Sequence, residues 1–467
     1  MLHTKWTNAY DVRALDVLAA LNNGGYEAWF VGGCVRDALL DRPVHDYDVT
    51  TIAKPEEVIE VCGEHWHCIP TGIQHGTVTV VNSDLPIEVT TFRKDGTYSD
   101  GRRPDEVSFS NQLQTDLERR DFTINALVWR PEEGVKDLLG GRTDLARGIV
   151  RAVGDPRRRF TEDGLRILRG IRFSVELNFE IDTKTYEAML DLAPLIHNVS
   201  TERVTEEFGR ALLADVFLLP IGLPIWRQIF PDLLSSDNKH RDAYLVSLDW
   251  SDWQELPPDL TCRLATFLLV IQALGYPEAE LDGWHPPTLK KTVAASFQMT
   301  DQLRLSRQQQ RQLSGILSIF QKLPDEKVVS EDVQSRFWLR RQMADHGQES
   351  CIFVLSILRF IAKLTLPQSL STFSPQYINL LYRRLSEVMI TVLSDSSPRS
   401  LKHLAVDGED LIAKGFTPGP VLGNILNALF EAVLAERVDN KYDALMAYID
   451  QHRQELDHIS NLIDFKR

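Results

Sequence analysis

The sequence predicts an α+β fold in which residues 1–150 build a small mixed β-sheet and the rest of the chain is helical. Two observations support this prediction. Short runs rich in β-branched and aromatic residues alternate with helical patterns before residue 151, and helical periods dominate from there onward. Breaks rich in proline or serine, at Pro220–Pro224, Pro257–Pro258, Pro286–Pro287 and Ser394–Ser397, divide the helical part into blocks.

Four strands and two helices are expected within residues 1–150. The strands are expected at Ala28–Val31, Asp46–Thr50, Gly76–Val81 and Pro86–Phe92. The helices are expected at Val35–Leu40 and Pro55–Cys62, the second of which opens with proline, a residue favoured in a first helical turn. The stretch between Phe92 and Val107 is polar, contains two glycines and one proline and shows no period, so we expect a mobile loop.

Composition narrows the class of protein. The chain has 467 residues, a net charge of −15 and five cysteines without a CxxC pair, which excludes a disulfide-rich secreted scaffold. No signal peptide and no apolar run of about 20 residues is evident, so we expect a soluble protein in the reducing cytoplasm with no membrane partner. The acidic balance also argues against nonspecific coating of nucleic acid, because contacts to phosphates depend on lysine and arginine.

One stretch departs from this acidity. Between Arg147 and Arg172 there are eight arginines and only three acidic residues. Such a stretch is either a solvated helix face or a focused site for an anionic ligand, such as a nucleotide or an RNA end. Composition leaves both interpretations open.

The densest chemical signal lies between Val31 and Thr50. Asp46 and Asp48 are two residues apart on an expected strand, so both carboxylates point to one face. Adjacent carboxylates repel each other unless a cation lies between them, and hard oxygen ligands suit Mg²⁺. Upstream, the backbone at Gly33 can approach a triphosphate and Arg36 can add a bidentate contact. The combination predicts a two-metal phosphoryl-transfer site, whereas an Asp-x-Asp pair alone would be a weak signal.

This segment resembles the first motif of class II tRNA nucleotidyltransferases and bacterial poly(A) polymerases, which are polymerase-β-like nucleotidyltransferases. Three later segments resemble the second, third and fourth motifs of the family, in the same order: Arg119–Ala126, Asp137–Leu145 and Thr161–Phe173. The resemblance implies a polymerase-β-like catalytic head over 1–150, a helical neck with a base-reading helix over 151–215, a helical body over 216–345 and a helical tail that contacts tRNA over 346–467.

The resemblance also implies the reaction and its residues. The expected activity is template-independent addition of CCA to the 3′ end of tRNA, from CTP and ATP, with release of pyrophosphate. Asp46 and Asp48 would be catalytic and would hold Mg²⁺. The nucleotide would be bound by the glycine and the arginines of the motifs, namely Gly33, Arg36, Arg120, Arg169 and Arg172. No stable protein partner is implied.

Base recognition is expected from Asp163 and Arg166 of the fourth motif. Three residues apart on a helix, they would share a face. The carboxylate can accept from the exocyclic amine of cytosine or adenine while the guanidinium donates to the neighbouring ring acceptor, and uracil and guanine present the reverse pattern. The alternative interpretation is an ordinary helix ion pair between Glu162 and Arg166.

Several alternatives remain open. Glu88 is either a third carboxylate beside the metals or an outward strand residue, and Asp121 is expected to be a local structural anchor. The rival functions are A-only addition, CC-only addition, a poly(A) polymerase and an inactive RNA-binding relative. The full-length stretch before Val107 disfavours CC-only addition. A zinc site in 62–68 is set aside because its spacing is compressed.

Overall fold

The computed structural model describes residues 9–96, 107–214, 219–230, 248–273, 303–364, 375–395 and 397–456. The chain divides into two compact units, Met1–Pro231 and Asp232–Arg467. The expected boundary at residue 150 falls inside the first unit, and the division into four segments remains a prediction.

The first unit is built on a seven-stranded mixed sheet. Its strands are β1 (Ala28–Val31), β2 (Tyr47–Thr51), β3 (His67–Gly72), β4 (Thr77–Asn82), β5 (Leu85–Thr91), β8 (Leu127–Arg130) and β9 (Gly134–Asp137), where β6 (Arg93–Asp95) and β7 (Val107–Phe109) form a separate antiparallel ribbon. The order across the sheet is β3-β4-β5-β2-β1-β8-β9. Strands β2 and β5 run parallel, and the other neighbours are antiparallel.

Five short helices accompany this sheet, namely α1 (Val12–Asn23), α2 (Gly33–Leu39), α3 (Pro55–Gly63), α4 (Leu113–Glu118) and α5 (Gly141–Arg147). Helix α1 buries one stripe with the spacing of an amphipathic helix, at Ala14, Val17, Leu18 and Leu21. Tyr10 stacks on Trp129 of β8 with ring centroids 4.5 Å apart, within a fully buried aromatic core.

Helices follow the sheet within the same unit: α6 (Pro156–Glu162), α7 (Leu165–Leu177), α8 (Thr183–Leu192), α9 (Thr201–Leu212) and α10 (Leu219–Ile229). A short parallel pair, β10 (Ile149–Val150) and β11 (Glu180–Ile181), joins the start of this region to the end of α7. The Asp155 side chain accepts from the backbone N–H of Arg157 and caps α6, and Pro156 occupies the first turn of that helix.

The second unit is helical in its described part. Its helices are α11 (Leu260–Ala273), α12 (Arg307–Gln321), α13 (Glu326–Ser330), α14 (Asp332–His346), α15 (Gln348–Lys363), α16 (Pro375–Ser394), α17 (Gly408–Ala413), α18 (Pro420–Leu434) and α19 (Tyr442–Gln451). Side chains from α17, α18 and α19 share one buried cluster that includes Leu411, Leu429 and Leu445. Among the described residues, none of the helices is long and apolar enough to cross a membrane.

The predicted α+β class is confirmed, and the six predicted elements of the sheet region are present with ends shifted by no more than two residues. Sequence patterns did not predict α1, β3, β8 or β9. The expected loop begins instead with β6, because Arg93–Asp95 pairs with Val107–Phe109. The rest of that expected loop, 97–106, lies outside the described residues.

Candidate nucleotide-binding cleft

A cleft of about 280 Å³ opens in the first unit where the β1–α2 turn meets the start of β2, the segment after α4 and one face of α7. It is lined by Gly32, Gly33, Cys34, Arg36, Asp37, His45, Asp46, Asp48, Arg120, Asp121, Asn125, Arg169, Arg172, Phe173 and Arg210. Every site residue predicted from the sequence lines this cleft except Asp163 and Arg166.

The turn before α2 lets backbone and charge approach each other closely. Gly32 has a φ of +81°, a conformation that side-chain-bearing residues rarely adopt. A Cβ at this position would lie 3.2 Å from Nη1 of Arg120 and 3.7 Å from Oδ2 of Asp48. Glycine therefore allows a guanidinium and a carboxylate to come together against the turn.

The two carboxylates of the first motif both line the cleft. Asp46 is exposed and immediately precedes β2, and Asp48 lies within that strand. The pKa of Asp48 is raised to about 6, chiefly by burial, against the opposing effect of Arg120 and with smaller contributions from the charges of Glu88 and Asp46. In the parallel pairing of β2 with β5, Asp48 is directly opposite Glu88, so their side chains share a face of the sheet.

The carboxylates of the cleft resemble a magnesium site more than a site made wholly of protein ligands. Within the described ranges, no group of three or more histidine, cysteine, aspartate or glutamate side chains is arranged to hold one. Magnesium, however, usually takes only one or two carboxylates and completes its shell with waters and substrate phosphates. Asp46 and Asp48, facing an open cleft, fit that pattern, and Glu88 is a further carboxylate on the neighbouring strand.

Arg36 and Arg120 differ in how many of their donor groups already have partners. The Arg36 guanidinium is buried, donates to both carboxylate oxygens of Asp37 at 2.9 Å and donates to Oδ1 of Asn125 at 2.8 Å. Arg120 lies 3.5 Å from Asp116, and its Nε is buried without a hydrogen-bond partner in the described part of the chain. Arg120 therefore retains donor capacity at the cleft, whereas Arg36 is held in place by its neighbours.

The second motif is joined to α7 by Asp121. Its carboxylate accepts from Arg169 at 2.7 Å, from the Asn125 amide at 3.2 Å and from the backbone N–H of Phe122 at 2.8 Å. Burial alone would raise the pKa of Asp121, but Arg169 outweighs it and holds that pKa well below its usual range. These contacts support the expected role of Asp121 as an anchor.

Arg172 is more enclosed than the sequence suggested. It is buried, donates to Glu207 at 2.5 Å and to Glu176 at 2.7 Å, and lies over the ring of Phe173. Glu207 also lies 3.6 Å from Arg169. One buried acid of α9 thus orients both of the arginines that α7 presents to the cleft.

The prediction that Asp163 and Arg166 share a helix face is wrong. Asp163 lies between α6 and α7 in an extended conformation, with φ −150° and ψ 109°. Its carboxylate accepts from the backbone N–H of Leu165 at 3.0 Å and from Arg203 at 2.7 Å. Aspartate competes in this way for backbone donors at helix starts, so it ends α6 instead of continuing it.

Arg166 forms an ion pair with Glu162, as the alternative interpretation of the fourth motif predicts. It donates to Glu162 at 2.7 Å, and Arg159 donates to the same oxygen at 2.7 Å. Both arginines also donate to the backbone carbonyl of Arg119 at 3.2 Å. Glu162 therefore fixes two cations that reach back from the helices to the second motif.

Sequence reasoning missed several residues around the cleft. Asn125 and Phe173 fall within motifs already singled out, so their position gave a usable signal. Arg203 and Glu207 lie about 40 residues away from their partners on a helix with no motif, and only the packing of α9 on α7 brings them in. Asp116 precedes the second motif, and no sequence pattern identified it as a site residue.

Known proteins resemble this chain along most of its length. Residues 28–151 match the family described as the poly A polymerase head domain, and residues 288–449 match the family described as tRNA nucleotidyltransferase domain 2. The chain is 33% identical to the CCA-adding enzyme of Leuconostoc mesenteroides and 33% identical to that of Enterococcus faecalis. Each comparison covers 94% of this chain and 96% of the relative.

Solved structures agree with the sequence comparison. The crystal structure of the Bacillus stearothermophilus CCA-adding enzyme in complex with CTP is 26% identical, with a TM-score of 0.70 and coverage of 96% of this chain and 98% of that one. A CCA-adding enzyme with ATP, 16% identical at a TM-score of 0.60 over 97% and 96% of the two chains, shares the fold. The chain belongs to the family of the CCA-adding enzymes, the tRNA nucleotidyltransferases of the poly A polymerase head class.

Proposed function

We propose that this protein adds CCA to the 3′ end of tRNA without a template, using CTP and ATP and releasing pyrophosphate. The observation that carries the proposal is the single cleft in which two carboxylates and several arginines surround a glycine turn. The relatives named CCA-adding enzyme, and the CTP complex of one similar structure, support the choice of nucleotides and of tRNA.

Asp46 and Asp48 would hold Mg²⁺, with Glu88 adjacent to Asp48 in the sheet. When bound, the metal would neutralise triphosphate charge and lower the pKa of the attacking hydroxyl. In the reaction, the terminal 3′ hydroxyl gives up its proton to solvent, and its oxygen forms a bond to the α-phosphorus of the incoming nucleotide as the bond to the pyrophosphate oxygen breaks.

The chain's own residues orient the substrates for this step. The backbone at Gly33 and the guanidinium of Arg36 line the cleft and would border the triphosphate, and Arg120 would supply donor groups that its neighbours leave available. Arg169 and Arg172 line the same cleft, where their charge would attract the phosphates of the nucleotide or the primer. Cation-rich walls of this kind bring anionic reactants together before chemistry.

Asp163 and Arg166 are the proposed base-reading pair. They do not share a helix face, but each is oriented by its own ion pair, Asp163 by Arg203 and Arg166 by Glu162. Held in this way, a carboxylate acceptor and a guanidinium donor can pair with the Watson–Crick edge of cytosine or adenine. A uracil or guanine would oppose each charged group with the wrong partner.

The proposed organisation follows the four segments: catalytic head 1–150, neck 151–215, body 216–345 and a tail 346–467 that contacts tRNA. The proposed compartment is the cytoplasm. It is supported by the five cysteines, all of which are free thiols, as expected in a reducing environment.

The test is extension of three tRNA transcripts, lacking the whole CCA end, the final CA or only the final A, with labelled CTP or ATP. Growth of all three to a full CCA end is the expected result. Extension of only the last transcript, by one A, would make this an A-adding enzyme that needs a separate CC-adding partner. Addition of two C and no A would identify a CC-adding enzyme, long A tracts would identify a poly(A) polymerase, and no incorporation would contradict all of these activities.

A further inference from the structure

We propose that Asp116 is a positioning residue of the cleft: it holds Arg120 back from Asp48, so that Arg120 faces the nucleotide and Asp48 stays available for the metal. This inference rests on the proposed function, because it concerns the same cleft. It assigns a task to a buried acid that touches neither nucleotide nor metal.

Asp116 is a fully buried carboxylate at which two arginines and a hydroxyl converge. Its Oδ1 accepts from Nε and Nη2 of Arg119 at 2.9 and 2.7 Å. Its Oδ2 accepts from Oγ1 of Thr50 at 2.9 Å and lies 3.5 Å from Nη2 of Arg120. A buried charge persists only when its surroundings compensate it, and these contacts do so.

The contact with Thr50 ties this acid to the strand of the catalytic carboxylates. Thr50 and Asp48 are two residues apart in β2, so their side chains lie on the same face of the sheet. The carboxylate of Asp116 therefore packs on the face that carries Asp48 and Glu88. A shift of Asp116 would therefore displace both Arg120 and strand β2.

Arg120 lies between two acids. Among the described residues, Asp116, and not Asp48, is the carboxylate within ion-pair distance of its guanidinium. Its Nη1 nevertheless lies against Gly32, where Oδ2 of Asp48 also lies, so a small rotation would bring guanidinium and carboxylate together. Opposite charges in a partly buried cleft attract each other strongly, so Arg120 is drawn toward Asp48. The negative charge of Asp116 attracts Arg120 in the other direction.

The backbone around Arg120 is fixed by other contacts. The carbonyl of Arg119 accepts from both Arg159 and Arg166, and the carbonyl of Glu118 accepts from Arg159 at 2.6 Å. Removing the charge of Asp116 should therefore release the Arg120 side chain more than it disturbs the main chain. Arg120 would then pair with Asp48 and compete with the divalent ion.

The experiment compares Asp116→Asn with the wild-type chain by direct CTP binding in Ca²⁺, a non-reactive substitute ion, and by tRNA extension across a Mg²⁺ titration. We expect CTP binding to weaken about tenfold and half-maximal extension to require several-fold more Mg²⁺, because partners of metal ligands typically affect metal affinity by 10–100-fold. At saturating Mg²⁺ and CTP, kcat should fall much less than kcat/KM.

Asp144→Asn is the matched control. Asp144 is also a buried aspartate of the first unit, accepts from the Thr123 hydroxyl at 2.7 Å and pairs with Arg151 at 3.1 Å, but it does not line the cleft. Both variants should lose thermal stability, and only Asp116→Asn should lose CTP affinity. Equal CTP binding by the two variants would overturn the proposal.

A double-mutant cycle tests the route through Arg120. Arg120→Met should weaken CTP binding, and adding Asp116→Asn to it should change binding less than twofold. Fully additive losses would mean that Asp116 acts elsewhere. If Asp116→Asn does not fold, Asp116→Glu moves the charge by one methylene, and CTP binding no weaker than in Asp144→Glu would refute the idea. Because CTP binding is measured without turnover, the outcome stands apart from wild-type extension, which tests the proposed function.

Discussion

Two arginine–carboxylate networks, one in each unit, show what a matched and an unmatched set of charges do. In the second unit, Arg340 of α14 is buried and donates to Asp395 at 2.6 Å, to Glu436 at 2.7 Å and to the carbonyl of Leu434 at 3.1 Å. Arg336 adds a two-point pair with Glu436 at 2.6 and 2.8 Å. This network connects α14 to the residues that follow α16 and α18.

The cleft network is incomplete by comparison. Arg120 has one carboxylate at 3.5 Å and a buried Nε without a partner in the described chain, and burial raises the pKa of Asp48 against the opposing effect of Arg120. Proteins rarely leave such groups unpaired, so an unmatched set commonly marks a place where a ligand completes the contacts. The matched network connects helices of the second unit, and we propose that the unmatched one binds substrate and metal.

The largest expected effect is that of removing one cleft carboxylate. Asp46→Ala should lower incorporation of CTP and ATP by at least about 10³-fold, because the metal would lose one of its two proposed ligands. The residue is exposed, so the melting temperature and tRNA binding should stay close to wild type. Asp84→Ala, an exposed acid between β4 and β5, is the control and should remain active. Normal turnover of Asp46→Ala would refute the metal assignment.

A smaller effect is expected on selectivity. Asp163→Ala should reduce the preference for CTP and ATP over UTP and GTP by about 10–100-fold, because a site built to pair with a polar edge rejects mismatches through its charged groups. Competition among the four nucleotides in a single-addition assay measures it. Arg157→Met, which breaks an exposed ion pair on α6, should leave the preference intact. If the preference survives in Asp163→Ala, the base is read elsewhere.

The matched network should respond in stability alone. Arg340→Met is expected to cost about 2 kcal/mol of the free energy of unfolding, less than a fully buried pair, because Asp395 and Glu436 are partly exposed. Its CTP affinity should equal that of wild type. Arg341→Met, a more exposed neighbour on the same helix, should cost about 1 kcal/mol or less. Loss of CTP binding in Arg340→Met would contradict the separation of the two roles.

The smallest expected effect is on the free energy of unfolding at acidic pH. Hydrogen bonds from Arg336, reinforced by Arg340, lower the pKa of Glu436 from 4.5 to about 2. A carboxyl with a depressed pKa in the folded state stabilises the fold above its ordinary pKa, and that contribution is lost as the pH falls from 4.5 toward 2. Glu436→Gln should therefore flatten the decline in unfolding free energy over this range. An identical acid profile for the variant and wild type would show that the pair contributes nothing measurable.

The sequence by itself determined the parts of this protein that depend on near neighbours. The strand at Ala28–Val31 and the helix beginning at Pro55 follow from composition over a few residues. The pairing of Asp46 with Asp48 beside the glycine turn follows from spacing alone, and both line the cleft as expected. Four ordered motifs were enough to indicate the family before any contact was known.

Tertiary structure decided the rest. Glu88 faces Asp48 because β5 inserts next to β2, an order no local pattern encodes. Asp163 leaves the helix because backbone and Arg203 donors were available to its carboxylate, although its spacing to Arg166 suited a helical pair. Local spacing fixes which side chains can share a face. The partner that each charge finds depends on how distant segments close on one another, and that closure also brought the Thr50 hydroxyl of β2 to the buried carboxylate of Asp116.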